Sequence, residues 1–255
     1  MATDTSLRVQ YLLRLADTCL VLAQRLSEWC GHAPIVEEDI ALVNIALDLL
    51  GQARALLTHA GQVEARGRDE DALAFLREER EYLNVTMAEL PRGDFAFTVL
   101  RVAMLATLLE LLWHRLADAS ADAELAAIAA KAVKEARYHR RHAGDWVLRL
   151  ADGTAESRGR TERALAELWP YAAEWFEPGD AVDDAAAACG LGPRWADLDA
   201  PWRQSIGELL AGAGLSPPVG TAFRSSGRHG RHSEHMGRLL AEMQYLQRAY
   251  PGGAW

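Results

Sequence analysis

Between Ile40 and Leu50, inside the stretch EEDIALVNIALDLLGQAR (Glu37–Arg54), only Asn44 and Asp48 interrupt an otherwise apolar run. A helix that is apolar around nearly its whole circumference belongs in a core. Asn44 and Asp48 are four apart and share one face. A carboxylate buried there must be paired, hydrogen-bonded, metal-bound or protonated. The sequence therefore predicts a buried central helix, and what Asp48 meets becomes the functional question.

The flanking sequence supplies its neighbours. Gln10–Trp29 spaces Leu13, Ala16, Leu20, Ala23 and Leu26 as an amphipathic helix does. The turn Gly31–Pro34 closes it, and Glu37 and Glu38 suit the first turn of the helix that follows. A polar break after His59 leads to a short helix through Leu83, with Asp69 or Asp71 as its cap. Phe95–Leu116 repeats the all-round apolar pattern, interrupted by Glu110 and His114, and Ala121–Leu150 follows after a short connection. Short connections make consecutive helices antiparallel neighbours. The prediction is an all-α, antiparallel four-helix bundle over residues 1–150, forming a single domain 1–255 with a C-terminal helical extension (151–255) packed on it. In that extension Glu156–Phe176 reads as a helix. The prolines between 178 and 218 allow only short helices, and Ser233–Tyr250 is a helix capped by Ser233.

With a net charge of −9, the chain lacks the broad basic surface that nucleic acid requires. No run of about 18 apolar residues and no signal-peptide centre in its first residues is present, so a cytoplasmic protein without membrane contact is expected. Cys19, Cys30 and Cys189 have no C-x-x-C spacing and read as reduced thiols.

A bundle with interior carboxylates raises the di-iron carboxylate site, which takes a Glu from each of two helices and Glu-x-x-His from each of the other two. Here the second and fourth helices read Asp48-Leu-Leu-Gly51 and Glu135-Ala-Arg-Tyr138, so both histidine positions are lost. Matching levels across the hairpins sets Asp48 near Thr18, and Glu135 near Ala106. Asp17, Asp48 and Glu135 then read as vestigial carboxylates that share protons or pair with Lys131, Lys134 or Arg137, and no metal or catalytic residue is assigned. His139–His142 (HRRH) reads as a solvated basic face.

The segment FRSSGRHGRHSEHMG (Phe223–Gly237) is the most distinctive surface signal. Its Arg224, Arg228, His229, Arg231, His232 and His235 alternate with Gly ahead of a helix N-terminus, a pattern suited to an anion or an acidic partner. The loop is expected to be poorly ordered in the isolated chain, and replacing Arg228 and Arg231 by Ala is expected to leave its melting nearly unchanged.

The stretches LVLAQRLSEWCGHAPIVEEDIALVNIALDLLGQAR, AAKAVKEARYHRRHAGDWVLRL and GRHGRHSEHMGRLLAEMQYLQRAYPGGAW resemble the C-subunit family of bacterial phenylacetyl-CoA 1,2-epoxidases, from about Tyr11 to Trp255. The resemblance implies a ferritin-like fold and a structural, non-catalytic subunit in aerobic phenylacetate catabolism. It implies a homologous catalytic A subunit that carries the di-iron centre and binds most of the phenylacetyl-CoA. A reductase with flavin and an iron–sulfur cluster, and small accessory subunits, complete the implied complex. No cofactor is implied in this chain. Two readings from other classes are a stand-alone di-iron oxidase or ferritin-like metal protein, and a helical module that binds an anionic ligand at the Arg224–His235 loop.

Overall fold

Two helical hairpins lie at the centre of the computed structural model, which describes residues 2–220 and 222–253. Met1 and Trp255, the ends of the expected domain, fall outside the described residues. The first hairpin joins α1 (Ala2–Ser27) to α2 (Val36–Glu64), and the second joins α5 (Phe95–Ala119) to α6 (Ala123–Asp152). Between them lie the short helices α3 (Glu70–Phe75) and α4 (Thr86–Glu89). Among the described residues there is no strand, only an isolated bridge between Ser226 and Arg231. The fold is all-α.

Contacts between α2 and α6 give their relative direction. Glu38 pairs with His142, Asp48 with His139, Gln52 with Glu135 and His59 with Asp122. As one number rises the other falls, so the two helices run antiparallel and stay in register along most of their length. Local sequence sets where the helices begin. Asp69, Asp94 and Asp122 each accept a hydrogen bond from the backbone N–H three residues on, at 2.8, 2.9 and 3.0 Å. These are the orphan donors of a helix start, satisfied by the residue type that does so best. At the far end of α2 the carbonyl of Arg68 would lie 2.3 Å from a Cβ on Gly61, so the chain folds back there only because that side chain is missing.

The C-terminal half packs mainly on α1 and α5, with α7 and α9 also reaching α6. It comprises α7 (Ala155–Leu168), a 3-10 stretch over Trp169–Phe176, α8 (Ala181–Ala188), α9 (Asp199–Gly212) and α10 (Glu234–Ala249). α8 and α4 pack on α1, while α7 and α9 pack on α5. Trp175, Trp195 and Trp202 are fully enclosed in this layer, and the indole N–H of Trp202 donates to the Met104 carbonyl of α5 at 3.0 Å. The predicted helix Glu156–Phe176 splits at Trp169, where Pro170 follows and the chain tightens into the 3-10 stretch.

α2 departs from the sequence expectation. Leu42, Ile45, Leu49, Ala53 and Leu56 are buried, but Val36 is 71% exposed and Ile40 and Leu47 are 58% exposed. Asn44 is also exposed, and the Asp48 side chain is 39% exposed. The helix is therefore not buried on all sides. α2 and α5 are both long and apolar enough, by length and composition, to cross a membrane. The apolar window of α5 is 83% buried and marks a core helix, whereas that of α2 is only 44% buried.

Candidate functional site

The seam between α1, α2 and α6 holds a short polar chain. Gln52 on α2 donates from its amide to Glu135 on α6 at 2.9 Å, and its carbonyl oxygen accepts from the Cys19 thiol of α1 at 3.5 Å. Lys131, one turn before Glu135, lies 3.5 Å from its other oxygen. Burial, with the negative charges of Glu135 and Asp17 adding to it, pushes the Cys19 thiol far up, so the sulfur stays protonated and can donate.

His139 turns away from this chain toward Asp48. Its Nε2 lies 3.0 Å from Asp48 Oδ2, with the imidazole 2% exposed. Burial lowers the His139 pKa below 6.5 in spite of Asp48 and Glu135. The ring is thus neutral near pH 7, with Nε2–H donating to the carboxylate. Where the sequence suggests Lys131, Lys134 or Arg137 as partners for the carboxylates, the partner of Asp48 is a histidine. The rotation of about 100° per residue that separates His139 from the Tyr138 position turns it across the α2/α6 seam.

Asp17 belongs to a different construction. Arg77 grips it through Nη1 at 2.9 Å and through a second, shorter contact from Nη2, and the Leu83 N–H donates to it at 2.8 Å. Both side chains are essentially inaccessible. Asp17 thus fastens the segment between α3 and α4 onto α1, and Asp17, Asp48 and Glu135 do not form one cluster. Among the described residues no group of three or more His, Cys, Asp or Glu gathers in a metal-binding arrangement. One carboxylate, one amide and one thiol, with the nearest imidazole engaged elsewhere, do not fit a di-iron centre, which needs several carboxylates and imidazoles around open positions.

The Arg- and His-rich segment is anchored by two enclosed side chains, Arg228 and His232, contrary to the expectation of a loose basic loop. Arg228 is 1% exposed, and its Nη2 meets both Asp183 oxygens at 2.8 Å. Its guanidinium lies 4.3 Å from the centre of the Trp195 ring, and Nη1 donates to the Trp175 carbonyl at 2.9 Å. Asp183 also accepts from Arg14 of α1 at 3.0 Å, and Arg14 forks onto Asp180 at 2.6 and 2.9 Å. Burial alone would raise the Asp180 pKa, but the Arg14 hydrogen bond and charge, with Arg228 nearby, hold it far below the usual carboxylate range.

His232 is enclosed as well. Nδ1 lies 2.7 Å from Glu89 Oε2 and Nε2 lies 2.9 Å from the Tyr82 carbonyl, so both nitrogens donate only if the ring is charged. Burial lowers the His232 pKa, but Glu89, the Tyr82 carbonyl and Glu79 outweigh it and raise the ring above 6.5. Glu89 is completed by Asn84 at 2.8 Å and the Ser233 N–H at 2.5 Å. Arg224, His229 and Arg231 lie at the surface, with His229 3.4 Å from Asp180. His235 is partly exposed, and its carbonyl accepts from Arg25 at 3.2 Å.

The family described as "Phenylacetic acid catabolic protein", whose model is named for PaaA and PaaC together, matches residues 1–255. The chain belongs to this family. It is also 46% identical over 245 residues to the C subunit of the 1,2-phenylacetyl-CoA epoxidase of Escherichia coli (strain K12), an alignment covering 96% of this chain and 98% of that protein. The family expected from the three quoted stretches is thus the family found.

Several residues that organise this member of the family carry little signal in the sequence. Gln52 and Cys19 read as ordinary helix residues, although a Gln four positions after Asp48 shares its face. Arg14, Asp180 and Asp183 give no sign, since Asp180 and Asp183 lie 166 and 169 residues from Arg14 in the chain. Arg101 is another: it is fully buried, donates to the Leu90 carbonyl at 2.6 Å, and has no carboxylate partner among the described residues. Burial, with Arg25 adding repulsion, lowers its pKa to about 9.

Proposed function

We propose that this chain is a structural, non-catalytic subunit of a multicomponent epoxidase that acts on the aromatic ring of phenylacetyl-CoA, within cytoplasmic phenylacetate catabolism. The reading is carried by near full-length similarity to the C subunit of such an enzyme. The donor set of the bundle supports the non-catalytic part: Cys19, Gln52 and Glu135 occupy the seam where an iron-binding relative needs carboxylates and imidazoles. Catalysis would then reside in a homologous A subunit holding the di-iron centre and most of the substrate, with electrons delivered by a flavin and iron–sulfur reductase and small accessory subunits completing the complex. This chain would hold that A subunit in its working form.

The test is reconstitution. The chain is purified alone and with the A subunit, iron is measured in each preparation, and epoxidation of phenylacetyl-CoA is followed after adding reductase and NADPH. Iron and turnover are expected only when the A subunit is present. Turnover by this chain and reductase alone would overturn the proposal.

A further inference from the structure

Of the four long helices, α1 and α5 are wrapped by the rest of the chain, whereas α2 and α6 keep one side open. On α2 that side carries Val36, Ile40 and Leu47, spaced four and seven apart, so they form one stripe. On α6 the adjacent stripe carries Tyr138, 44% exposed, between the exposed cations Lys131, Lys134 and Arg141. Tyr138 is stacked on His142 with ring centres 5.9 Å apart, so it is braced rather than loose. The apolar ridge is thus flanked by a basic edge, on a chain whose net charge is −9.

Single exposed apolar residues need no explanation, but Val36, Ile40, Leu47 and Tyr138 share one open face of two packed helices, with the exposed Asn44 between Ile40 and Leu47. α2 has 29 residues and α6 has 30, so each is about 45 Å long at 1.5 Å per residue. Two helices about 10 Å wide offer on the order of 800 Å², which is what each partner buries in a stable protein interface. Beneath this face lies a ladder of pairs that hold the two helices in register, Glu38–His142, Asp48–His139 and Gln52–Glu135. The surface is therefore rigid before anything binds, which lowers the entropy lost on association.

We infer that the α2/α6 face, with Ile40, Leu47 and Tyr138 at its centre and Lys131, Lys134 and Arg141 along its edge, is the docking surface for the homologous A subunit. This rests on the subunit reading given above. A homologue is the occupant that fits: the matching family model is named for both PaaA and PaaC, so under the subunit reading the partner is a member of the same family. The basic edge adds a requirement, acidic groups on the partner opposite Lys131, Lys134 and Arg141, and it makes association faster at low salt.

The experiment measures binding of the A subunit to the wild-type chain and to Ile40→Glu/Leu47→Glu, by sedimentation or surface-immobilised titration. Both positions are exposed, so the variant should keep the wild-type melting temperature; Val219→Glu, at a 95% exposed site away from the long helices, is the control. Affinity should fall about 100-fold or more in the double variant and stay unchanged in the control. Tyr138→Ala should weaken binding too, and Lys131→Glu/Lys134→Glu should slow association mainly at low salt. Wild-type affinity in the Ile40/Leu47 variant would overturn the assignment of this face while leaving the subunit reading intact. Failure of the wild-type chain itself to bind the A subunit would overturn both. Two further outcomes also overturn the inference: a self-dimer of the wild-type chain that the variant abolishes while A-subunit binding persists, and sedimentation with phosphatidylglycerol vesicles lost in the variant under the same condition.

Discussion

Replacing Arg228 by Ala should destabilise the isolated chain by about 4 kcal/mol. Removing one member of a buried ion pair costs about 3–5 kcal/mol, because the other charge stays buried. Here the remaining charge is Asp183, 3% exposed at its side chain. Asp183 would keep the Arg14 contact at 3.0 Å and the Trp195 N–H at 3.1 Å, which pulls the cost toward the low end. The lost stacking on Trp195 and the freed Trp175 carbonyl push it back up by about 1–2 kcal/mol. With a urea dependence of about 3 kcal/mol per M for a chain of this size, the midpoint should drop by roughly 1.3 M. Urea titrations followed by far-UV circular dichroism read this directly. Arg231→Ala, at an exposed residue, should stay within about 0.5 kcal/mol of wild type. In an Asp183→Asn background the Arg228→Ala cost should shrink by about 1 kcal/mol or more, since the pair is already broken. A midpoint within about 0.2 M of wild type, on the same urea dependence, would refute the view of Arg228 as a buried tie and restore the loose basic loop.

Two histidines should tilt the pH dependence of stability in opposite directions. His139 is buried neutral with its pKa lowered, facing Asp48, Glu135 and His142, so its contribution is full above pH 6.5 and is lost as the pH falls below that value. His232 has its pKa raised by Glu89, Glu79 and the Tyr82 carbonyl, so its contribution is full below pH 6.5 and is lost as the pH rises through the folded value. Thermal melts from pH 5.5 to 8.5 should therefore show His232→Gln gaining stability relative to wild type as pH rises, and His139→Gln gaining it as pH falls. Parallel curves would contradict the assigned charge states. Gly230→Ala should lower the melting temperature by several degrees: φ is +70° there, and a Cβ would stand 2.3 Å from the Arg80 carbonyl oxygen. An unchanged melt would mean that the segment near Arg80 yields at little cost.

Periodicity and capping make the main helices legible. The sequence predicts Ala121–Leu150 and α6 spans Ala123–Asp152; of the two candidate caps Asp69 and Asp71 it is Asp69 that accepts a backbone N–H, as does the predicted cap Ser233. Periodicity states how apolar a face is but not what covers it, and the exposed stripe of α2 is the result. The burial of Arg228 escapes the sequence for the opposite reason. Arginines and histidines among glycines usually mark solvent, and only the distant acids Asp183 and Glu89 make Arg228 and His232 interior. Asp17 groups with Asp48 and Glu135 on level alone. Level does not fix which way a side chain points around the helix, and Arg77 lies on another side of α1 from Gln52.

The Arg14 tie has a consequence for the order in which the chain can mature. Its guanidinium, near the beginning, binds Asp180 and also the carbonyl of Arg228, 214 residues later. Ribosomes add about 5–20 residues per second, so this cation waits roughly 10–40 s for its last partner. Until Asp180 and Asp183 have been added, the Arg14 cation of α1 has neither carboxylate of this cluster to meet. The segment around Arg228 thus acts as a clasp that closes on α1 only after the intervening helices have been made.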